Sequence, residues 1–151
     1  MDKLHYEDYI KKNGRLTYTN VGVSMMPLLR QGKDLFIVTK SNGERFSVGD
    51  VVLYRRPPNK YVLHRIIEVR RDDYVILGDN CVNKEYGIKD KDIIAVMTGF
   101  VRNGKEHSTD ENGYRLYSFL ILHTIPLRTR IKKIKIKTRK TVKRFFKILV
   151  K

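Results

Sequence analysis

Gly22-Val23-Ser24-Met25-Met26-Pro27-Leu28-Leu29 sets a serine between a glycine two residues back and a proline three residues on. Glycine tolerates backbone angles closed to other residues. Proline fixes φ near about −65° and stops a strand from continuing. Upstream, Leu16 to Val23 reads as a strand, so Ser24 falls where a strand breaks into a turn. A hydroxyl held there is exposed and rigid. Taken alone the stretch is an ordinary turn serine, and its meaning depends on partners elsewhere in the chain.

Outward from that turn the sequence alternates strands and turn signals. A short N-terminal helix is expected over Asp2 to Lys12, ended by Asn13-Gly14. Strands are expected at Asp34 to Thr39, Val51 to Tyr54, Tyr61 to Arg70, Tyr74 to Leu77 and Ile93 to Arg102. Arg55 to Lys60 is expected as a loop, because two prolines cannot join a central ladder. Gly78-Asp79-Asn80 breaks a strand, a polar loop follows to about Asp92, and Asn103-Gly104 is a strong turn signal. The body therefore reads as mostly β, with about six or seven strands.

The chain of 151 residues fits one domain with an appendage and is long enough for a real core. Residues 128–151 hold 12 Lys/Arg and no acid, which leaves 20 basic against 16 acidic residues in 1–127. The net charge of +16 is thus a property of the tail, and so is the question of a charged partner. Tyr114 to Leu127 is apolar but, at 14 residues, too short to span a bilayer unaided. Beyond it, Ile131, Ile134, Val142, Phe145, Phe146 and Leu149 are spaced roughly for one helical face among lysines and arginines. The acidic, polar N-terminus is not a secretory signal. One cysteine, Cys81, excludes an internal disulfide. No His/Cys cluster has metal-ligand spacing, and no cofactor is expected.

Four features fall in order: the Ser24 turn, Gly49-Asp50-Val51-Val52, Leu63-His64-Arg65-Ile66-Ile67, and Gly78-Asp79-Asn80. This order resembles the signal peptidase I superfamily of serine peptidases, which includes the self-cleaving repressors of the SOS response. Gly22 to Pro27 matches the family's Gly-x-Ser-Met-x-Pro at each fixed position. His64-Arg65 is similar to the His-type branch, where other relatives carry Lys-Arg. The resemblance covers about residues 16 to 102. It implies a signal-peptidase-like β-fold catalytic domain, assigned to residues 1–112, followed by an apolar and then basic amphipathic C-terminal segment at 113–151.

By that resemblance the reaction is peptide hydrolysis through an acyl-enzyme, with Ser24 as nucleophile and His64 as base. A serine hydroxyl is a poor nucleophile until a base takes its proton, and histidine is suited to that near neutral pH. On its strand face, beside Val62 and Ile66, His64 alone would read as a core histidine. His5, His107 and His123 have no comparable context. The backbone N–H of Ser24 is the expected oxyanion donor, and Gly22 leaves the second donor open. Met25, Met26 and Leu28 either line the neighbouring pocket or pack as core, with core preferred for Met25. Arg65 is expected to point away from His64, and Asp50 to shape its own turn.

Two carboxylates compete to orient His64. Glu85 occupies the position where His-type relatives carry their acid, and Asp79 sits in a turn whose Asp can cap its own backbone. Glu85 is preferred, with Asp79 mainly holding the loop. Signal peptidases carry transmembrane anchors before the serine, whereas the 23 residues before Ser24 form a largely polar stretch. A processing peptidase for another leader or signal-like segment is therefore expected, peripherally bound to an anionic membrane surface through residues 114–151. The competing readings are a repressor-like regulator whose basic tail binds nucleic acid, and a catalytically silent scaffold. No helix-turn-helix precedes the domain, repressors of that type carry Lys where His64 stands, and the tail's Phe and Ile spacing favours lipid over DNA.

Overall fold

A computed structural model describes residues 6–58 and 60–149, with side chains described as far as residue 143. The chain runs α1 (Tyr6–Asn13), β1 (Arg15–Thr19), β2 (Leu35–Lys40), β3 (Val51–Arg56), β4 (Lys60–Val69), β5 (Tyr74–Leu77) and β6 (Glu85–Ile88). A 3-10 turn at Asp90–Asp92 leads into β7 (Ile93–Arg102), β8 (Lys105–Ser108), α2 (Asn112–His123) and α3 (Ile125–Leu149). The expected positions of Asp2, Leu4 and His5, and the side chains of Phe145, Phe146 and Leu149, lie outside the described residues.

The eight strands form one antiparallel sheet in the order β1-β2-β7-β3-β4-β5-β6, with β8 on β7. Strand β7 is the hub. Ile93 to Val96 pair with β3, Ala95 to Val101 with β2, and Gly99 to Arg102 with β8. Register shifts at Ile37/Val38, Leu53/Tyr54 and Ile66/Glu68 add the local twist that lets a long antiparallel sheet curl. Alternate residues of β3 enter two different cores. Val51 and Leu53 join Met25, Leu28, Leu29, Val38 and Met97, while Val52 and Tyr54 join Ile66, Tyr74 and Ile76. Asn103 and Gly104 both adopt positive φ, 52° and 77°, which matches the twist a two-residue hairpin needs.

Several elements depart from expectation for local reasons. The strand expected to reach Val23 stops at Thr19 because Asn20 ties a neck there. Its amide donates to the carbonyls of Gly22 (3.1 Å) and Leu29 (3.2 Å), and its backbone pairs with Asp34 and Gly32. Buried Asp34 holds the far side of this excursion by accepting from Arg30 and Arg102. Burial works against its charge, but the two guanidiniums keep its carboxyl well below the usual range. The Arg55–Lys60 loop is shorter than expected: Arg55 and Arg56 continue β3, and Lys60 opens β4. The polar stretch after Asn80 contains β6, an edge strand on β5. The apolar run 114–127 is two helices rather than one. Thr124 caps α2, and Pro126 falls in the first turn of α3, where a missing N–H costs nothing.

Candidate active site

Ser24 rides on a turn held down by its neighbours. Met25, Leu28 and Leu29 are buried in the core, while Val23 and Met26 are exposed. Gly22 has φ 108°, and a side chain there would meet nothing within 4 Å. Its backbone angle, not lack of room, calls for glycine. The Gly78-Asp79-Asn80 loop is stitched to this turn. The Asn80 N–H donates to the Ser24 carbonyl (2.7 Å) and the Asn80 amide donates to the Val23 carbonyl (2.9 Å).

His64 lies on β4 opposite Val52 and is only 5% exposed. Its Nδ1 stands 3.1 Å from Glu85 Oε1 and 3.4 Å from the Tyr54 hydroxyl. The Tyr54 hydroxyl donates to Glu85 Oε2 (2.8 Å), as does Arg56 Nε (3.0 Å), and Arg56 Nη2 also pairs with Oε1. Glu85 is thus fixed by Tyr54 and Arg56, with Oε1 at ion-pair distance from the imidazole. A carboxylate beside Nδ1 favours the tautomer with its proton there, in which Nε2 is an acceptor. Burial pushes the imidazole below its ordinary value, with Glu85 opposing the shift and Arg56 adding to it. Nε2 faces the serine loop: a Cβ on Gly78 would stand 2.9 Å from it, 2.8 Å from the Ser24 carbonyl oxygen and 2.7 Å from Cys81 Sγ. Gly78 lets its loop approach both the serine turn and the imidazole closely.

Asp79 does other work. Both its oxygens accept from Arg65, Nε to Oδ1 and Nη2 to Oδ2, each at 2.8 Å, and both side chains are buried. Tyr117 adds a hydroxyl donor to Oδ2 (2.9 Å). Arg65 also donates to the Gly49 carbonyl and to Ser118 Oγ, each at 2.8 Å. Asp79 is thus not the partner of His64. It neutralises a buried arginine that joins the sheet to α2. Asp50 shapes its turn by accepting from the Ser47 N–H (2.8 Å).

A cavity of about 1110 Å³ opens beside these residues. Ser24, His64, Asn80 and Glu85 line it, with aromatic residues of α1, β1 and β4 including Tyr6, Tyr18 and Tyr61. Its lining takes neither Gly22, Met25 nor Met26, because Met25 turns into the core and Met26 into solvent. These three therefore do not form the pocket wall. Another part of the wall comes from α3, through Lys132, Lys135, Ile136 and Arg139. The helix is docked there: Arg128 donates to the Asp79 carbonyl (2.6 Å), and the Lys132 ammonium to the Asn80 carbonyl (2.6 Å) and side-chain oxygen. The C-terminal segment thus packs on the Asp79-Asn80 loop and supplies part of the cavity wall.

Comparison with family models, with curated proteins and with solved structures returns no match to this chain. The site therefore stands on its own geometry. Among the described residues no group of three or more His, Cys, Asp or Glu is placed to hold a metal ion. His107 stacks on Phe100 and His123 lies against Phe119, both away from the cavity lining.

Sequence reasoning missed Tyr54, Arg56 and the inward face of α3. The first two were accessible. The tight Pro57-Pro58 turn pairs Arg56 with Lys60 and so Val52 with His64. Tyr54 then becomes the diagonal neighbour of the histidine on the same face. For α3, Arg128, Lys132, Lys135 and Arg139 repeat at intervals of four, three and four, a helical face in its own right.

Proposed function

We propose that the chain is a serine endopeptidase of signal-peptidase-like type, acting through Ser24 and His64 on a leader or signal-like segment of another protein. The observation that carries this reading is the chain of contacts from Glu85 to Nδ1 of His64, with Nε2 turned toward the Ser24 turn at an open cavity. The sequence order of the motifs supports a signal-peptidase-like β-fold for the sheet.

In this mechanism His64 Nε2 takes the Ser24 hydroxyl proton as Oγ bonds to the peptide carbonyl carbon. The Ser24 N–H stabilises the resulting oxyanion. Glu85 holds the imidazole in the right tautomer and stabilises the imidazolium. The imidazolium gives its proton to the leaving amine. Water, deprotonated by the same imidazole, then attacks the ester carbonyl, and Ser24 recovers its proton. A neutral fluorophosphonate tests the reading. Wild-type protein should gain one phosphonyl group on Ser24, and the Ser24→Ala and His64→Ala proteins should gain none. Absence of labelling in the wild type rejects it.

The same reading places the enzyme on an anionic membrane surface. No helix among the described residues is long and apolar enough to cross a membrane. Leu127, Ile131, Ile134 and Val142 nevertheless form an exposed apolar stripe on α3, and α2 exposes Leu116, Phe119 and Leu120. An exposed apolar stripe flanked by Lys and Arg suits the interface of a bilayer with anionic lipids better than it suits nucleic acid.

A further inference from the structure

Among the described residues that line the cavity there is a single carboxylate, Glu85, and that one is already engaged by Arg56 and His64. Lys132, Lys135 and Arg139 enter the same lining from one face of α3 with no acid of the cavity to offset them. Their placement is not free to drift, because Lys132 is bonded to Asn80 and Asn80 to the Ser24 carbonyl. The Lys132 ammonium is crowded enough for burial and Arg128 to lower its pKa. A peptide crossing this cavity would offset a cationic wall that no acid among the described lining residues balances.

We propose that this wall is a specificity determinant: the site selects peptides with acidic side chains close to the cleaved bond. The inference rests on the peptidase reading for the word substrate, but its physical content is recognition of carboxylates. The reach follows from geometry. Arg139 lies seven residues beyond Lys132, roughly 10 Å along a helix, which equals about three residues of extended peptide. The favoured acids therefore fall within about three or four residues of the bond. Lys135 and Arg139 are the discriminating pair, since Lys132 also holds the loop.

Binding and chemistry can be tested apart. Full-length Ser24→Ala protein is titrated, without lipid, with two fluorescent decapeptide pools that differ only in Asp/Glu against Asn/Gln. The acidic pool should bind about tenfold more tightly, the size of one hydrogen bond to a charged group, and the difference should shrink as salt rises. Lys135→Glu with Arg139→Glu should abolish the preference, and the Gln pair should reduce it. Equal binding of the pools, no binding of either, or a preference that survives both double variants overturns the proposal. Loss of anionic-liposome binding in the double variants with unchanged peptide preference assigns these cations to lipid and also overturns it. Fluorophosphonate labelling separates the two ideas. Labelling without acidic preference sinks this inference alone, and acidic preference without labelling sinks the peptidase reading alone.

Discussion

Glu85 Oε1 lies 3.1 Å from Nδ1 of His64, although 21 residues of sequence separate them and a nearer carboxylate in sequence, Asp79, is spent on Arg65. The two acids therefore predict different failures. Glu85→Gln removes a partly exposed charge and keeps one acceptor oxygen for its donors, so it should cost about 1–2 kcal/mol in stability, well below the cost at Asp79. It should lower kcat about 10²-fold or more, because the imidazole loses the group that fixes its tautomer. Asp79→Asn strips a buried arginine of its charge partner and should cost about 3–5 kcal/mol in thermal or denaturant unfolding. Equal loss of stability in the two variants would reject this division of roles.

Ser24→Ala and His64→Ala are expected to remove peptidase activity, by about 10³-fold or more, and the double variant to be little worse than either. Far-UV circular dichroism should stay unchanged for Ser24→Ala, since the half-buried hydroxyl contributes little to the core. Processing by Ser24→Ala protein at the wild-type rate would eliminate the mechanism.

Burial lowers the pKa of His64, and this gives a pH dependence with a definite sign. The rising limb of kcat/KM should have its midpoint below about 6.5, the ordinary histidine value. Glu85 opposes the lowering, so Glu85→Gln should move the limb further to acid. Stability follows the same group. The unfolded chain binds the proton more readily, so the contribution is fully present above about pH 6.5 and is lost as pH falls through the folded value. A midpoint above 6.5 in the wild type contradicts the buried, neutral imidazole.

Apolar runs bounded by turn signals were readable because one force dominates them. Tyr74–Leu77 and Ile93–Arg102 are apolar, bounded by turn residues, and fold with the ends their patterns imply. β6 was not readable. Glu85-Tyr86-Gly87-Ile88 has no alternation, and it is a strand only because β5 offers it a ladder. Within the site, the order of the motifs and the family resemblance pointed to Ser24 and His64 and favoured Glu85, whereas residue types alone could not choose between Glu85 and Asp79. That choice depends on which arginine captures which acid, Arg56 on β3 or Arg65 on β4, and so on strand register. The inward face of α3 was hidden for another reason. Its cations look like solvated charge until the partner loop at Asp79 and Asn80 is known.

The outward face of α3 predicts a separable membrane function. Ile131→Ser with Ile134→Ser removes two exposed apolar residues, neither of which lines the cavity. Flotation with anionic liposomes should fall sharply, while fluorophosphonate labelling of Ser24 stays at the wild-type rate. Truncation at residue 128 is a poorer probe, because it also removes the bonds of Arg128 and Lys132 to the Asp79-Asn80 loop. Undiminished flotation of the double variant would remove the stripe from the argument.

Gly78→Ala is the most demanding test of the site's geometry. The added methyl would stand 2.7 Å from Cys81 Sγ, 2.8 Å from the Ser24 carbonyl oxygen and 2.9 Å from His64 Nε2. Only the first of these can yield by a side-chain rotation. The second is backbone, pinned by the Asn80 N–H, and the third is a buried ring held by Glu85. The serine turn and the imidazole must therefore move apart or the loop must lift. Overpacking of this kind costs about 1–3 kcal/mol. Displacement of about 1 Å between reacting groups costs about 10²-fold in rate. Adding Cys81→Ala relieves one clash of three and should restore neither stability nor labelling. Gly113→Ala is the control: its Cβ would meet nothing within 4 Å in the first turn of α2, so it should be neutral or slightly stabilising. If Gly78→Ala reacts with the fluorophosphonate within threefold of wild type, Ser24 and His64 do not meet across Gly78, and the site as described is wrong.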